Sequence, residues 1–331
     1  MTKFTYTEAS DTAEAINEMQ ADAHTKLIAG GTNLLDLMKI NVETPSRLID
    51  INHLPYNRIE DLPNGGLRLG ALVTNADTAY NEQVRTRYPL LSDAILAGAS
   101  PQLRNMATNG GNMLQRTRCY YFYDTATPCN KREPGTGCSA INGFNRIHAI
   151  LGQSEHCIAT HPSDMAVALA ALDAVVNVEG VSGERQIAFR DFHRLPGDHP
   201  EKDTNLEAGD LITSIDLPPE GFSANYKYVK VRDRASYAFA LISVAVGLQI
   251  KNNMIKEVRI AMGGVAHKPW RDALVEDELK NKAATRENFI SAAERILSNA
   301  KGYEHNEFKI NLGKKAIVRA LEEAAAMGDK Q

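Results

Sequence analysis

Short strand and helix patterns alternate over the first fifty residues, and this alternation constrains the fold most strongly. Residues 4–6 have the pattern of a short strand, and Asp11 with Glu14 marks the start of a helix that runs to about residue 19. The segment KLIAGG then predicts an apolar strand that ends in two glycines, TNLLDLMK predicts a helix, and SRLIDI predicts another buried strand. Because strands that alternate with helices favour parallel pairing, we expect a small parallel α/β subdomain over residues 1–52.

The pattern changes after residue 52. A turn separates short strands in LPNGGLRLGALV, apolar helices follow in YPLLSDAILAGAS and PSDMAVALAALDA, and VVNVEGVSGERQIAF predicts a hairpin. We therefore expect a mixed or antiparallel α+β subdomain over residues 53–220. The strand in DLITSIDLPPEGF is stopped by paired prolines and a glycine, which places the domain boundary at residues 218–224.

The remaining third of the chain predicts a separate C-terminal domain. NYKYVKVR, YAFALISVAVGLQI and KEVRIAMGGV have the patterns of strands, and TRENFISAAERIL and KKAIVRALEEAAA have those of helices. We expect residues 221–331 to form a three-stranded antiparallel sheet with helices. The predicted fold class is thus α+β, with an N-terminal domain of two subdomains over residues 1–220.

Composition narrows the classes of function. The chain has 37 basic and 41 acidic residues, a net charge of −4, which gives no reason to expect a nucleic-acid partner. No apolar run approaches the roughly 20 residues of a membrane span. The polar first twenty residues contain no apolar signal core, so we expect the chain to fold in the cytoplasm.

Two glycine turns predict a binding site for a diphosphate. In KLIAGGTNLLDLM, residues 26–38, glycines without a Cβ atom allow backbone N–H groups to approach an anion at the start of a helix. A second Gly-Gly pair followed by asparagine occurs in RNMATNGGNM, residues 104–113, where Thr108 could bond a phosphate oxygen and Asn112 could cap the turn. Either turn alone is as typical of a tight strand-to-helix connection as of an anion site. A matched pair of such turns could hold the two phosphates of a dinucleotide.

Two charged residues outside these turns are also candidates. Asp164 begins a helix, where an acidic residue is ordinarily a cap or an N-terminal carboxylate. Lys230 lies on a strand, where it would ordinarily be solvated. Neither residue indicates a ligand by itself.

Taken together, these segments resemble the flavin-binding medium subunit of molybdenum hydroxylases, the xanthine dehydrogenase and carbon monoxide dehydrogenase family. The resemblance rests on IAGGTNLLDLM, QLRNMATNGGN, PSDMAVALAALDA, DLITSIDLP and KVRDRASYAFALISVAV, which occur in the family's order across essentially the whole chain. The stretches MLQRTRC and HCIATHPSDMAVA are similar to those of the periplasmic aldehyde oxidoreductase type.

The resemblance implies that the dinucleotide is FAD. The first turn would wrap the pyrophosphate, and the second turn would form a second clasp. Asp164 would contact polar groups on the ribose or adenine side. Ile212 would line the adenine or flavin wall, and Lys230 would lie near the isoalloxazine. The implied FAD-binding residues are Lys26, Leu27, Ile28, Ala29, Gly30, Gly31, Thr32, Asn33, Leu34, Thr108, Gly110, Gly111, Asn112, Asp164, Ile212 and Lys230.

All the thiols of the chain lie in one insertion, at about residues 113–161. Ordinary members of the family run from GGN almost directly to PSD, whereas nearly fifty residues separate these motifs here. The spacing is C-x9-C-x8-C-x18-C. The cysteines are Cys119, Cys129, Cys138 and Cys157.

Four interpretations of this spacing compete. The thiols could be unlinked, could form two disulfides in an oxidising compartment, or could bind zinc, with His156 or His161 as substitute ligands. A [4Fe–4S] cluster also needs four thiolates and tolerates irregular spacing. We favour the cluster, because a flavoprotein already carries out redox chemistry and because the resemblance includes flavin subunits with such an insertion.

The implied function is electron relay. No molybdenum site, no paired-cysteine [2Fe–2S] pattern and no nucleophile–base arrangement is visible, so we expect substrate oxidation in a partner molybdenum-cofactor subunit. Electrons would arrive from a [2Fe–2S] partner and leave through FAD to an external electron acceptor. Export assembled with a signal-bearing partner would bring the chain to the periplasm. A zinc-stapled nucleotide-binding assembly module and a self-contained flavin oxidase remain alternative hypotheses.

Overall fold

The alternating N-terminal segment folds as a parallel sheet, as predicted. In the computed structural model, which describes residues 1–328, both outer strands of this sheet pair in parallel with the central strand. The first helix begins where Asp11 accepts a hydrogen bond from the Glu14 backbone and Glu14 accepts one from the Ser10 backbone. The strands, in the order β1-β3-β2, and helices are β1 (Thr5–Glu8), α1 (Thr12–Ala21), β2 (Thr25–Ile28), α2 (Leu34–Lys39) and β3 (Arg47–Asp50).

The middle of the chain forms a five-stranded antiparallel sheet in the order β4-β5-β8-β6-β7. The predicted hairpin is confirmed as the pair β6–β7. The strands are β4 (Ile59–Asp61), β5 (Leu67–Gly70), β6 (Val175–Gly180), β7 (Gly183–Ala188) and β8 (Leu211–Leu217). The helices of this part are α3 (Asn75–Tyr80), α4 (Glu82–Arg87), α5 (Pro89–Ala97), α6 (Pro101–Arg104), α7 (Asn109–Met113), α8 (Tyr120–Tyr123), α9 (Asp164–Ala171) and α10 (Phe189–Phe192).

The C-terminal sheet is antiparallel but has four strands within the described residues, so the prediction of three strands was wrong in number. The additional strand has only two residues at the sheet edge, too few to show an alternating pattern. A short helix before the two predicted ones was also missed. The elements are β9 (Asn225–Val231), β10 (Ile242–Lys251), β11 (Met254–Gly263), β12 (Trp270–Arg271), α11 (Ala273–Leu279), α12 (Arg286–Ile296) and α13 (Phe308–Ala325).

Helix α9 joins the middle of the chain to the C-terminal sheet. All eight of its residues are buried, because it packs against α5 on one side and against β10 and β11 on the other. Gly263 on β11 permits a close approach, since a Cβ atom there would lie 2.5 Å from Val167 of α9. This packing brings Asp164, the first residue of α9, into contact with β9.

The insertion contains little regular structure. Beyond α8, residues 124–163 contain no helix or strand, and hydrogen bonds join the segment to the loop between β11 and β12. The backbone N–H groups of Ile150 and Leu151 donate to the Val265 carbonyl, and that of His161 donates to the Ala266 carbonyl. Across residues 1–328, no helix is both long and apolar enough to cross a bilayer.

Candidate functional site: two glycine turns and a four-cysteine loop

The two glycine turns lie in direct contact, although about 75 residues separate them in sequence. A Cβ atom on Gly30 would lie 1.8 Å from the Met106 carbonyl oxygen, so only glycine fits at this position. Gly31 has a φ of +66°, in the left-handed region that glycine adopts without strain. The structure therefore brings together the two segments that the sequence singled out.

The second turn is built on the segment that follows β5. The Gly110 backbone N–H donates to the Ala71 carbonyl at 2.8 Å. Thr108 caps α7, since its Oγ1 accepts a hydrogen bond from the Gly111 N–H at 3.3 Å. Asn112 does not cap the turn, contrary to the sequence interpretation: its amide bonds Asn75 at 2.6 Å and the Ser163 hydroxyl at 2.5 Å.

The first turn is only half covered by the rest of the protein. Residues 27–35 are half-buried, although Leu27 and Ile28 are apolar. Asn33 Oδ1 accepts a hydrogen bond from the Arg116 backbone at 2.8 Å, while its Nδ2 is buried and has no hydrogen-bond partner within residues 1–328. A buried donor usually has a partner, so this amide beside two glycine turns fits an acceptor-rich ligand such as a diphosphate.

Asp164 and Lys230 form a buried ion pair. Lys230 Nζ lies 2.6 Å from Asp164 Oδ2, both side chains are less than one-tenth exposed, and Nζ also donates to the Ala97 carbonyl at 3.0 Å. The Tyr228 hydroxyl donates to Asp164 Oδ1 at 2.6 Å. The sequence assigned the two charged residues to different parts of FAD, whereas the structure places them in contact with each other.

Two further residues of the candidate set, Lys26 and Ile212, lie in contrasting environments. Lys26 is largely exposed, and its Nζ lies 3.9 Å from Glu43. Ile212 is buried on β8 opposite Val178 and belongs to the core beneath the five-stranded sheet.

The four cysteines of the insertion converge on one cavity. Cys129 and Cys138 pair across an isolated β-bridge, and the Cys138 and Cys157 thiols hydrogen-bond each other. All four are free, and Phe122, Ala140 and Ile158 pack around them. Within residues 1–328, no group of three or more His, Cys, Asp or Glu side chains is arranged to hold a metal ion.

Backbone N–H groups point at three of the four sulfurs. The N–H groups of Ala140, Ile158 and Ile141 bond Cys138, and that of Ala159 donates to Cys157 Sγ at 3.4 Å. The thiol–thiol hydrogen bond and these N–H groups lower the pKa of Cys138 to about 6 despite its burial.

The pKa of Cys119 is shifted in the opposite direction. Burial raises the pKa of its thiol to about 12, although the N–H groups of Phe122 and Tyr121 bond its sulfur. Donors aimed at sulfur stabilise thiolate, which is the form that ligates metals. The cavity thus brings four sulfur atoms together, with Cys138 as the one whose pKa is lowered.

Comparison with known proteins identifies the family. Residues 2–220 match the FAD binding domain in molybdopterin dehydrogenase, and residues 225–324 match the CO dehydrogenase flavoprotein C-terminal domain. The chain belongs to this family of flavoproteins. FAD is therefore the dinucleotide that it binds, and its class is that of an oxidoreductase flavoprotein.

Relatives of this flavoprotein are similar along nearly its whole length. It is 50% identical to the aldehyde oxidoreductase FAD-binding subunit PaoB of Escherichia coli (strain K12), with 98% of this chain and 99% of the relative covered. It is 29% identical to the glyceraldehyde dehydrogenase medium chain of Sulfolobus acidocaldarius, over 89% of this chain and 88% of the relative. The carbon monoxide dehydrogenase structure from Hydrogenophaga pseudoflava matches with a TM-score of 0.77 at 25% identity, covering 98% of both chains.

A polar chain connects the two candidate sites of the flavoprotein. Besides its backbone bond to Asn33, Arg116 places Nε 2.6 Å from Asp203, and Lys131 Nζ lies 2.5 Å from the same carboxylate. Although burial opposes ionisation, these two cations hold the pKa of Asp203 well below its usual value. Sequence reasoning missed Asp203, because it lies about 40 residues beyond the end of the insertion and in no motif.

Proposed function

We propose that this chain is the FAD- and [4Fe–4S]-containing electron-transfer subunit of a molybdenum-dependent, aldehyde oxidoreductase-like hydroxylase. It would pass electrons from the [2Fe–2S] centres of a partner subunit to an external acceptor, while a molybdenum-cofactor subunit oxidises the substrate. The observation that carries the proposal is the 50% identity, over almost the entire length, to an aldehyde oxidoreductase FAD-binding subunit.

For FAD, the proposal assigns the diphosphate to the space between the two glycine turns. The Asn33 amide, which has no partner within residues 1–328, supplies a donor there. Residues 26–34, Thr108, Gly110 and Asn112 form or support this clasp.

The Asp164–Lys230 pair is assigned to the flavin side of the cofactor as one unit. A cofactor group that contacts one of these side chains is within reach of the other, since they lie 2.6 Å apart. The pair as a whole is neutral, so the Lys230 ammonium would favour electron-rich flavin through its position on the flavin side.

For the insertion, the proposal assigns Cys119, Cys129, Cys138 and Cys157 to a [4Fe–4S] cluster. Four thiolates around Zn²⁺ would each lie about 2.3 Å from one point, whereas a cluster distributes its ligands over four iron atoms and accepts wider spacing. Four sulfurs line one cavity, which matches the number of thiolates that a [4Fe–4S] cluster needs. No observation favours the zinc-stapled assembly module.

Localisation and domain division remain predictions. The proposed partners would determine the compartment, through export of the assembled complex with a signal-bearing subunit. The division into residues 1–220 and 221–331, with the iron–sulfur insertion at about 113–161, is likewise a hypothesis about units of folding.

Anaerobic substrate reduction tests the relay role. In the purified complex, an aldehyde substrate is expected to bleach the flavin absorption, because electrons arrive through the partners. The isolated chain loaded with FAD is expected to stay oxidised with the same aldehyde. Bleaching of the isolated chain at a comparable rate would contradict the relay and support a self-contained flavin enzyme.

A further inference from the structure

His148 makes a contact that the binding of FAD does not explain. Its Nε2 lies 3.0 Å from Cys119 Sγ, and both residues are buried. The ring is flanked by Tyr120 and Tyr121, with ring centroids 6.3 and 6.4 Å away. The contact joins residues 29 positions apart, so the fold, and not local geometry, creates it.

The donor in this contact follows from hydrogen-bonding rules. A sulfur that ligates iron is a thiolate and carries no proton, so it can only accept. Nε2 must therefore carry the hydrogen, and Nδ1 is left as the acceptor; Nδ1 is buried and has no partner among the described residues. The imidazole is thus directed at the sulfur through one N–H.

The backbone of His148 is clamped by the C-terminal part of the chain. Its carbonyl accepts hydrogen bonds from Lys309 Nζ at 2.8 Å and from Asn306 Nδ2 at 3.2 Å. Lys309 is fully buried and also donates to the Gly264 carbonyl at 2.5 Å. Lys309 lies in the first turn of α13 and Asn306 just before it, so this end of the helix fixes the backbone that carries the ring.

We infer that His148 is a positioning residue of the proposed iron–sulfur site, which donates its Nε2–H to Cys119 Sγ and raises the reduction potential of the bound cluster. This inference rests on the proposed function, since it requires the cluster. Hydrogen bonds to ligating sulfurs stabilise the more negative, reduced state and so shift the potential upward. Among the four cysteines, Cys119 is the one whose sulfur is contacted by an imidazole within the described residues.

The test is a redox titration of the purified complex, followed by electron paramagnetic resonance of the cluster. His148→Phe keeps a ring in the site but removes the donor. We expect the ratio of oxidised to reduced cluster at the wild-type midpoint to change by up to about tenfold, a shift of about 59 mV to lower potential for one electron. His305→Phe is the matched control, because His305 packs against Phe144 in the same aromatic group without contacting a sulfur; its midpoint should equal that of the wild type.

The outcomes separate this inference from the proposed function. An unchanged midpoint in His148→Phe with full iron content would overturn the role of His148 alone. Wild-type complex with FAD but without iron would overturn the cluster itself, and the inference with it. If His148→Phe loses iron, His148→Gln decides: retained iron with a midpoint near that of the wild type supports the hydrogen bond, whereas loss of iron in both variants overturns it.

Discussion

Gly30 makes the closest contact between the two glycine turns, and the clasp depends on its lack of a side chain. A Cβ atom there would meet backbone of the second turn, which cannot rotate away as a side chain could. Gly30→Ala should therefore push the turns apart at a cost of about 1–3 kcal/mol. We expect FAD affinity to fall by roughly tenfold or more, measured by titrating FAD into the apoprotein.

The matched control for this variant is Gly183→Ala. Gly183 lies in the β6–β7 hairpin with a φ of +93°, and an added Cβ would meet no atom within 4 Å. Its substitution should cost about 1–2 kcal/mol of stability through backbone strain, without changing FAD affinity. Equal FAD affinities of the Gly30→Ala variant and the wild type would show that the turn-to-turn contact does not shape the site.

The Asp164–Lys230 pair is expected to behave as one unit. Lys230→Met should lower the free energy of unfolding by about 3–5 kcal/mol, because it leaves a buried carboxylate without its cation. Adding Asp164→Asn should recover part of this loss. Urea unfolding of the two single variants and the double variant measures the coupling.

An exposed ion pair supplies the comparison. Arg286 and Glu322 are 62% and 38% exposed, so Arg286→Met should change the free energy of unfolding by less than about 1 kcal/mol. Additive losses for Asp164→Asn and Lys230→Met would contradict the paired role.

At the level of elements, two buried histidines near the insertion make the stability of the fold depend on pH. His193 bonds the Met113 carbonyl and His267 bonds the Arg194 carbonyl, and burial lowers the pKa of each to about 4. Since an unfolded histidine has a pKa near 6.5, the unfolded chain binds more protons between pH 6.5 and 4. The free energy of unfolding should therefore fall as pH falls through this window, by about 3 kcal/mol for each residue.

His193→Gln tests this pH dependence. The amide keeps a donor for the Met113 carbonyl but does not titrate, so the slope of unfolding free energy against pH should decrease by about one proton between pH 6.5 and 4. His53→Gln, at a largely exposed position, is the control for removing a histidine from the surface. Equal slopes for wild type and His193→Gln would mean that His193 is already protonated in the folded protein.

Local patterns predicted the elements that depend on local sequence. The parallel sheet, the β6–β7 hairpin, α5 and α9 each have several residues of clear periodicity, and the structure confirms them. The role of Thr108 as a cap was also accessible, because threonine ranks among the preferred N-cap residues and lies three positions before Gly111. The two-residue strand β12 left no pattern to detect.

At the scale of the whole molecule, the sequence could not predict which distant residues meet. The glycine turns were predicted to act together, but the contact of Arg116 with Asn33 and the Asp164–Lys230 pair join residues 83 and 66 positions apart. The donor from His148 to Cys119 likewise needs the clamp from α13. Such contacts depend on how sheets and helices pack, and that information is not present in any short segment.

The combination of FAD and a four-cysteine loop in one chain is the central claim, and metal analysis tests it most directly. Iron, acid-labile sulfide, zinc and FAD should be measured together in the complex purified without oxygen, alongside the Cys129→Ser variant. We expect about four iron atoms per FAD in the wild type. Cys129→Ser should lose iron and retain most of its FAD, because the insertion contacts the first glycine turn through Arg116, which precedes the first cysteine. One FAD without iron in the wild type, or zinc in its place, would contradict the account.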